Sequence, residues 1–314
     1  MSRLILTRLV TLVPLLLLVS VIVFVLIHLT PVDPIRQILG EGSSMEQRAQ
    51  LARELGYDRA LPVQFGDWVL GAFRGDLGVS IFTKQPILET FLGRLPVTLA
   101  LVAGGALVAI AIGVPLGVFA ALRSGSAADR VVTGITSLGL AIPGFWLALL
   151  LVLGFAVQLR WFPVLGFTRF QDDPAAWARG LVLPSVALAI HSAAVIARQT
   201  RGAVLETLRA PYVQALRAVG TPRRRIVYRY ALRNAMVPIV TVIGWELAVL
   251  LAVSFVVERV FAIPGTGTLL LDAVVRNDIP LVQGGILLVA CMVVLINLAV
   301  DVAYGLLDPK ARPQ

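Results

Sequence analysis

Six stretches of the chain are apolar almost throughout: residues 9–29, 95–122, 131–159, 180–197, 234–257 and 279–300. A helix needs about 20 such residues to cross about 30 Å of hydrocarbon, so the pattern predicts six membrane-spanning helices. Glu246 is the only Asp, Glu, Lys or Arg within them. The second and third stretches exceed one crossing, which implies extension beyond the bilayer, tilt or a bend. Pro115 and Pro143 lie inside these two, and prolines inside a helix kink it. The first stretch is too long for the apolar core of a signal peptide. His28-Leu29-Thr30-Pro31 is not a small-residue cleavage site. It reads as an uncleaved first span.

Residues 31–94 are too polar to cross a membrane and too long for a plain turn. Ser43 and Glu46 have the spacing of a capping box for a helix over 46–55, with Gly56 as its stop. Residues 62–70 predict a second short helix. Gly71, Gly75 and Gly78 then break the chain, and 86–92 reads as an interfacial helix leading into the second span. The expectation is a small helical cap between the first two spans, acting as a docking surface or lid over a pathway, or else as a passive spacer.

Residues 205–233, between the fourth and fifth spans, carry the most specific local pattern. Pro211 suits a first helical turn. Tyr212, Ala215, Leu216 and Val219 then fall at i, i+3, i+4 and i+7, which is one apolar face. Gly220 is placed as a left-handed stop, Thr221 as the cap of the next helix and Pro222 at its first position. Arg225, Arg229 and Arg233 follow at four-residue intervals, a single basic stripe. A helix of about nine residues is about 13 Å long and too short to be stable alone. It needs a surface, and lipid headgroups or a partner protein satisfy the pattern equally.

Composition fixes the class. Hydrophobic residues make up 58% of the 314 and charged residues 14%, against roughly a quarter charged in a soluble domain. The net charge of +9 would point to nucleic acid in a soluble protein. Here its distribution assigns no nucleic-acid role. With the amino terminus inside, the cytoplasmic segments hold 15 of the 27 basic residues and only Asp129, Glu206 and Asp308 of the acids. That asymmetry orients the chain with both termini in the cytoplasm. Cys291 is the single cysteine and the two histidines are too few for a metal site. No G-x-x-x-x-G-K-[ST] loop is present to cradle a nucleotide phosphate.

Gln214-Ala215-Leu216-x-x-x-Gly220, followed by Tyr230-x-Leu232, resembles the EAA loop of binding-protein-dependent ABC permeases. That loop reads E-A-A, three residues, G, nine residues, I-x-L-P. This chain differs by Gln for Glu, Leu for the second Ala, Tyr for Ile and Arg233 for Pro. Leu232-Arg233-Asn234-Ala235 with Pro238 resembles the signature of the dipeptide, oligopeptide and nickel branch. So do Leu29-Thr30-Pro31-x-Asp33-Pro34, Gly75-Asp76-Leu77-Gly78-x-Ser80 and Arg94-Leu95-Pro96-x-Thr98-Leu99. Residues 258–267, and Asp301 with Leu307-Asp308-Pro309, extend the match over nearly the whole chain.

The resemblance implies an all-α membrane protein with six transmembrane helices, the type I ABC importer permease fold. Residues 1–30 would be the amino terminus and first helix, 31–94 the external cap, and 95–314 the core with the coupling loop 205–233. The implied function is the permease subunit of an ATP-driven importer in the bacterial inner membrane. It would pair with a second permease, two cytoplasmic ATPases and an external solute-binding protein. ATP and Mg would sit on the ATPases, with no cofactor on this chain. Tyr212, Val213, Gln214, Ala215, Leu216, Arg217, Val219 and Gly220 would form the ATPase-coupling helix. Peptides are the implied solute, with nickel complexes or glutathione as alternatives. A stand-alone channel or secondary transporter is the remote alternative, and no internal repeat supports it.

Within the spans, Glu246 is the sharpest outlier, because an ionisable group at membrane depth is costly and faces a cavity or partner. Glu246, Trp245, His191 and Ser192 are the candidates for lining the pathway. Asn297 and Asp301, one turn apart, are expected to pack against neighbouring helices or the partner subunit. Residues 263–267 read as a re-entrant turn outside the fifth span.

Overall fold

The computed structural model describes residues 2–29, 34–40, 42–164 and 166–307. Thr30, Pro31, Asp33, Asp308, Pro309, Lys310, Arg312 and the side chain of Asp301 lie outside the described residues. The described chain is helical, with one isolated antiparallel bridge between Val79 and Pro86. It begins with α1 (Ser2–Leu29), α2 (Pro34–Leu39), α3 (Met45–Leu55) and α4 (Leu61–Phe73). Then come α5 (Ile87–Leu122), α6 (Ala127–Ala141), α7 (Gly144–Leu151) with a π-helical extension over Val152–Gln158, and α8 (Pro174–Arg209). After α9 (Pro211–Ala218), α10 (Arg223–Arg225) runs through a π turn (Ile226–Ala231) into α11 (Leu232–Val260). The chain closes with α12 (Thr266–Arg276) and α13 (Ile279–Leu307).

Among the described residues, four helices are long and apolar enough to cross a membrane: 87–122, 174–209, 223–260 and 279–300. Residues 13–29 of α1 form a shorter apolar stretch. The third sequence stretch is not one straight span. It breaks between α6 and α7 with a bend of 99°. Ile142 (ψ 125°) and Pro143 (ψ 130°) are both extended, because the residue before a proline is pushed out of the helical region. Pro115 leaves α5 unbroken. No separate interfacial helix forms at 86–92 either: the chain enters α5 at Ile87 and continues to Leu122.

Two compact units divide the described residues. The first contains residues 97–267 and the end of α13. Its core is the contact of α5 with α8 and α11, built from Ala109, Ala189, Ala193 and Ile196, with Val242 and Ile243 of α11 against them. The helices approach closely because α5 carries glycine there. A Cβ on Gly113 would sit 2.8 Å from the Ala193 carbonyl oxygen, and one on Gly117 only 2.4 Å from that of Ala197. Small residues at such crossings let backbones pack where lipid supplies no hydrophobic drive.

A buried polar cluster ties the same unit together at 98, 258 and 266. The Thr98 hydroxyl donates to Glu258 Oε1 (2.6 Å) and accepts from the Thr266 backbone N–H (2.8 Å). All three side chains are fully buried. Gly265 is obligatory beside them, since a Cβ would fall 2.3 Å from the Glu258 carboxyl. The chain turns over 261–265, and residues 266 and 267, expected within that turn, instead open α12, a helix the apolar runs did not mark.

The second unit contains residues 6–96 and 268–295. The cap helix α3 begins at Met45, one residue before the expected start, yet its cap lies one residue later than the spacing suggested. Ser44, not Ser43, is the cap, and the reciprocal partner is Gln47 rather than Glu46. Ser43 instead donates to the Gly40 carbonyl and accepts from Arg48 Nε. Gly56 ends the helix in the left-handed region, as its place implies. Ser80 donates to the buried Asp278 carboxylate, which also accepts from the Ile81 backbone N–H. Burial and the nearby Asp278 charge raise the Tyr57 phenol above its ordinary value.

Substituting Gly117 with Val should cost about 1–3 kcal/mol through overpacking against α8, seen as a lower midpoint of thermal unfolding in detergent. Gly134→Ala, where nothing lies within 4 Å, should be neutral or stabilising. Equal midpoints for the two variants would contradict the close approach.

Candidate functional site

The segment after α8 forms a hook. Ala210 is extended (ψ 145°) ahead of Pro211, which stops α8 and starts α9 in a new direction. Beyond Ala218 the chain closes with two backbone bonds, Gly220 N–H to the Arg217 carbonyl and Thr221 N–H to the Leu216 carbonyl, both 3.0 Å. That pair is the Schellman closure. Gly220 has φ +76°, a conformation that costs other residues roughly 1–2 kcal/mol. Thr221 does not cap the following helix. Pro222 occupies the capping position, with no side-chain bond, and Arg223 is the first helical residue.

Which face of α9 is buried differs from the apolar count. Val213 is fully buried, the anchor of the hook, and α9 packs on the end of α8 and on the 226–231 turn. Leu216, one turn later, is half-buried. Tyr212 (38% exposed), Ala215 and Val219 (77%) stay outside. Gln214 and Arg217 are exposed as well. Asn234 of α11 donates to the Tyr212 hydroxyl (2.8 Å), and Arg223 donates to the Leu122 carbonyl at the end of α5 (3.2 Å). The hook is therefore fastened to α5, α8 and α11 while presenting an uncovered apolar strip. Arg225, Arg229 and Arg233 are exposed.

An ion pair that sequence reasoning missed stiffens this end. Arg201 of α8 grips Asp129 of α6 in two-pronged fashion, Nε to Oδ1 and Nη2 to Oδ2, each 2.7 Å. The Gly125 backbone N–H adds a third bond to the carboxylate (2.9 Å). The available signal was an acid among a strongly basic set of segments.

The four pathway candidates do not come together. In α11, Trp245 is 72% exposed while Glu246 is 3% exposed. In α8, His191 is exposed and Ser192 is 1% exposed. Each adjacent pair splits between the outside and the interior, as neighbours about 100° apart on a helix must. Glu246 Oε2 is buried without a hydrogen-bond partner. Among the described residues, no group of three His, Cys, Asp or Glu side chains is arranged to hold a metal ion.

Comparison with known proteins places this architecture. Residues 113–313 match the family model described as the binding-protein-dependent transport system inner membrane component, and residues 1–102 match the model of that family's N-terminal part. A Brucella abortus protein named for a peptide transport system permease is 38% identical over 312 residues, covering 99% of each chain. The dipeptide transport system permease protein of Escherichia coli is 37% identical over 336 residues, again covering 99% of each. Among solved structures, an inward-facing MetNI methionine ABC transporter chain matches with a TM-score of 0.59 at 22% identity. The match covers 71% of this chain and 99% of that one. At that identity the likeness speaks for the fold. With its helical membrane architecture and full-length relatives, this chain belongs to the family of inner membrane components of binding-protein-dependent transport systems.

Proposed function

We propose that the chain, as a permease subunit of an ABC importer, forms half of a translocation pathway for peptides of the dipeptide class. The other half is a second permease. An external binding protein delivers the solute, and two cytoplasmic ATPases hold ATP and Mg and carry out hydrolysis. Both termini lie in the cytoplasm, and α1 and the α6–α7 pair complete six spans. The observation that carries this reading is the α9 hook. It is anchored in its own subunit through Val213, yet it leaves Tyr212, Ala215 and Val219 uncovered beside exposed arginines. A short helix with an unburied apolar strip at the end of three long helices has the form of a docking element for an ATPase groove.

Mechanistically, ATP closes the ATPase pair and carries the hooks with it. Tyr212, Val219 and Ala215 make the contact. The Asn234–Tyr212 bond, Val213 and the Arg223–Leu122 bond pass the movement to α11, α8 and α5. The permease pair then opens outward to receive the solute, and hydrolysis resets it. Glu246, whose buried Oε2 has no partner, is the proposed interior contact for a cationic group on the solute, with Ser192 as a second interior polar side chain. His191 and Trp245, which face outward in this chain, would reach the pathway only across the second permease.

Replacing Ala215 with Arg and Val219 with Glu should lower ATP-driven uptake in proteoliposomes roughly tenfold or more, the scale of losing a hot-spot contact of about 2 kcal/mol. The amount of chain in the membrane should not change. Undiminished uptake would remove α9 from the coupling path. The chain purified apart from its partners should show no ATP turnover, and turnover that rose with the chain's purity would overturn the division of labour.

A further inference from the structure

Behind the hook lies a cavity of about 580 Å³. Its floor is apolar, made by Leu205 and Leu208 of α8 with Ile226 and Val227 of the π turn. Its rim carries three guanidinium groups, Arg209, Arg217 and Arg223. No carboxylate lines it, and none of the three arginines pairs with a carboxylate among the described residues. Arg223 spends one donor on the Leu122 carbonyl and retains others, since a guanidinium has five. The cavity sits where α5 ends at Leu122, its apolar surface giving way to charged chain at Arg123, and where α8 ends at Arg209. An apolar floor under an unneutralised basic rim, at the end of membrane helices, calls for a ligand with an anionic head and a hydrocarbon body.

We propose that this cavity binds an anionic phospholipid of the cytoplasmic leaflet, its phosphate held by Arg209, Arg217 and Arg223. The upper acyl chain lies on Leu205, Leu208, Ile226 and Val227. The placement rests on the orientation proposed above. A guanidinium fork fits phosphate in two-pronged geometry, and basic residues at the membrane surface each contribute attraction to anionic lipid. The bound lipid then fills the space between α8 and the stem of the hook. It supports α9 from behind while the exposed strip remains free.

The test uses full-length chain purified from its membrane with whatever co-purifies, placed in phosphatidylcholine nanodiscs. These carry a trace of spin-labelled phosphatidylglycerol or spin-labelled phosphatidylcholine, and the motionally restricted fraction is measured. The wild type should restrict phosphatidylglycerol in preference to phosphatidylcholine. Arg209→Gln with Arg223→Gln should weaken that preference about 25-fold, at about fivefold for each guanidinium. Arg209→Lys with Arg223→Lys should keep most of it. Leu208→Trp, which fills the cavity without changing charge, should abolish it even if the glutamine pair proves unstable. Equal restriction of the two lipids by the wild type overturns the proposal, as does an unchanged preference in both the glutamine and tryptophan variants. If the cavity takes an acidic segment of the ATPase, the glutamine pair loses the co-purifying ATPase and keeps its lipid preference, which also overturns it. Failure of any ATPase to co-purify with the wild type counts against the transporter reading alone, because the lipid comparison is read independently of it.

Discussion

The first unit depends on how closely α5 can approach α8. In lipid, burying apolar side chains between helices gains little, because the hydrocarbon is as apolar as they are. What remains is contact at short range, and Gly113 and Gly117 provide it by bringing α5 against the carbonyls of Ala193 and Ala197. The next partners follow from that distance. Ala109, Ala189 and Ile196 close the seam, and Val242 and Ile243 of α11 pack across it. Further along the same helices, Ala121, Val204, Ala235 and Ile239 form a second cluster, directly below which the hook begins. The hook is thus mounted directly on this packed seam.

Polar bonds lock that packing where the helices end. Asp129 and Arg201 join α6 to α8 at one end. Thr98, Glu258 and Thr266 join α5, α11 and the start of α12 at the other. A fully buried carboxylate without partners would be severely penalised, so Glu258 also fixes which residues surround it. Glu246 differs, because one of its oxygens is left without a partner. The same side chain in two positions of α11 therefore separates a structural role from an available one.

Much of this was legible in the sequence, for physical reasons. Long apolar runs have no use in water, so the four helices long enough to cross a membrane were marked by composition alone. The left-handed stops at Gly56 and Gly220 were legible because few other residues tolerate that backbone. Less was legible where neighbours compete. Ser43 and Ser44 are equally good caps, and only the chain's path decided between them. In α9, Val213 lies between residues of the apolar strip, and the strip's periodicity says nothing about which side meets the rest of the subunit. The 99° break at Pro143 needed the geometry of Ile142 as well as the proline. Ion pairs such as Asp129 with Arg201 join distant parts of the chain, and periodicity is blind to them. The pathway candidates were chosen for polarity within a span. Polarity does not distinguish Glu246, which points inward, from Trp245 and His191, which do not.

The division of faces on α9 has a consequence for how the segment varies. Val213 answers only to its own subunit, so its size should change in step with the residues of the 226–231 turn it packs on. Tyr212, Ala215 and Val219 answer, on the proposed reading, to a surface encoded by another gene. Residues 212–219 should thus carry two separate records of covariation, one within a chain and one between chains. Exchanging the exposed strip alone should transfer partner choice from one transporter to another, whereas exchanging the whole helix would also disturb the fit of its anchor.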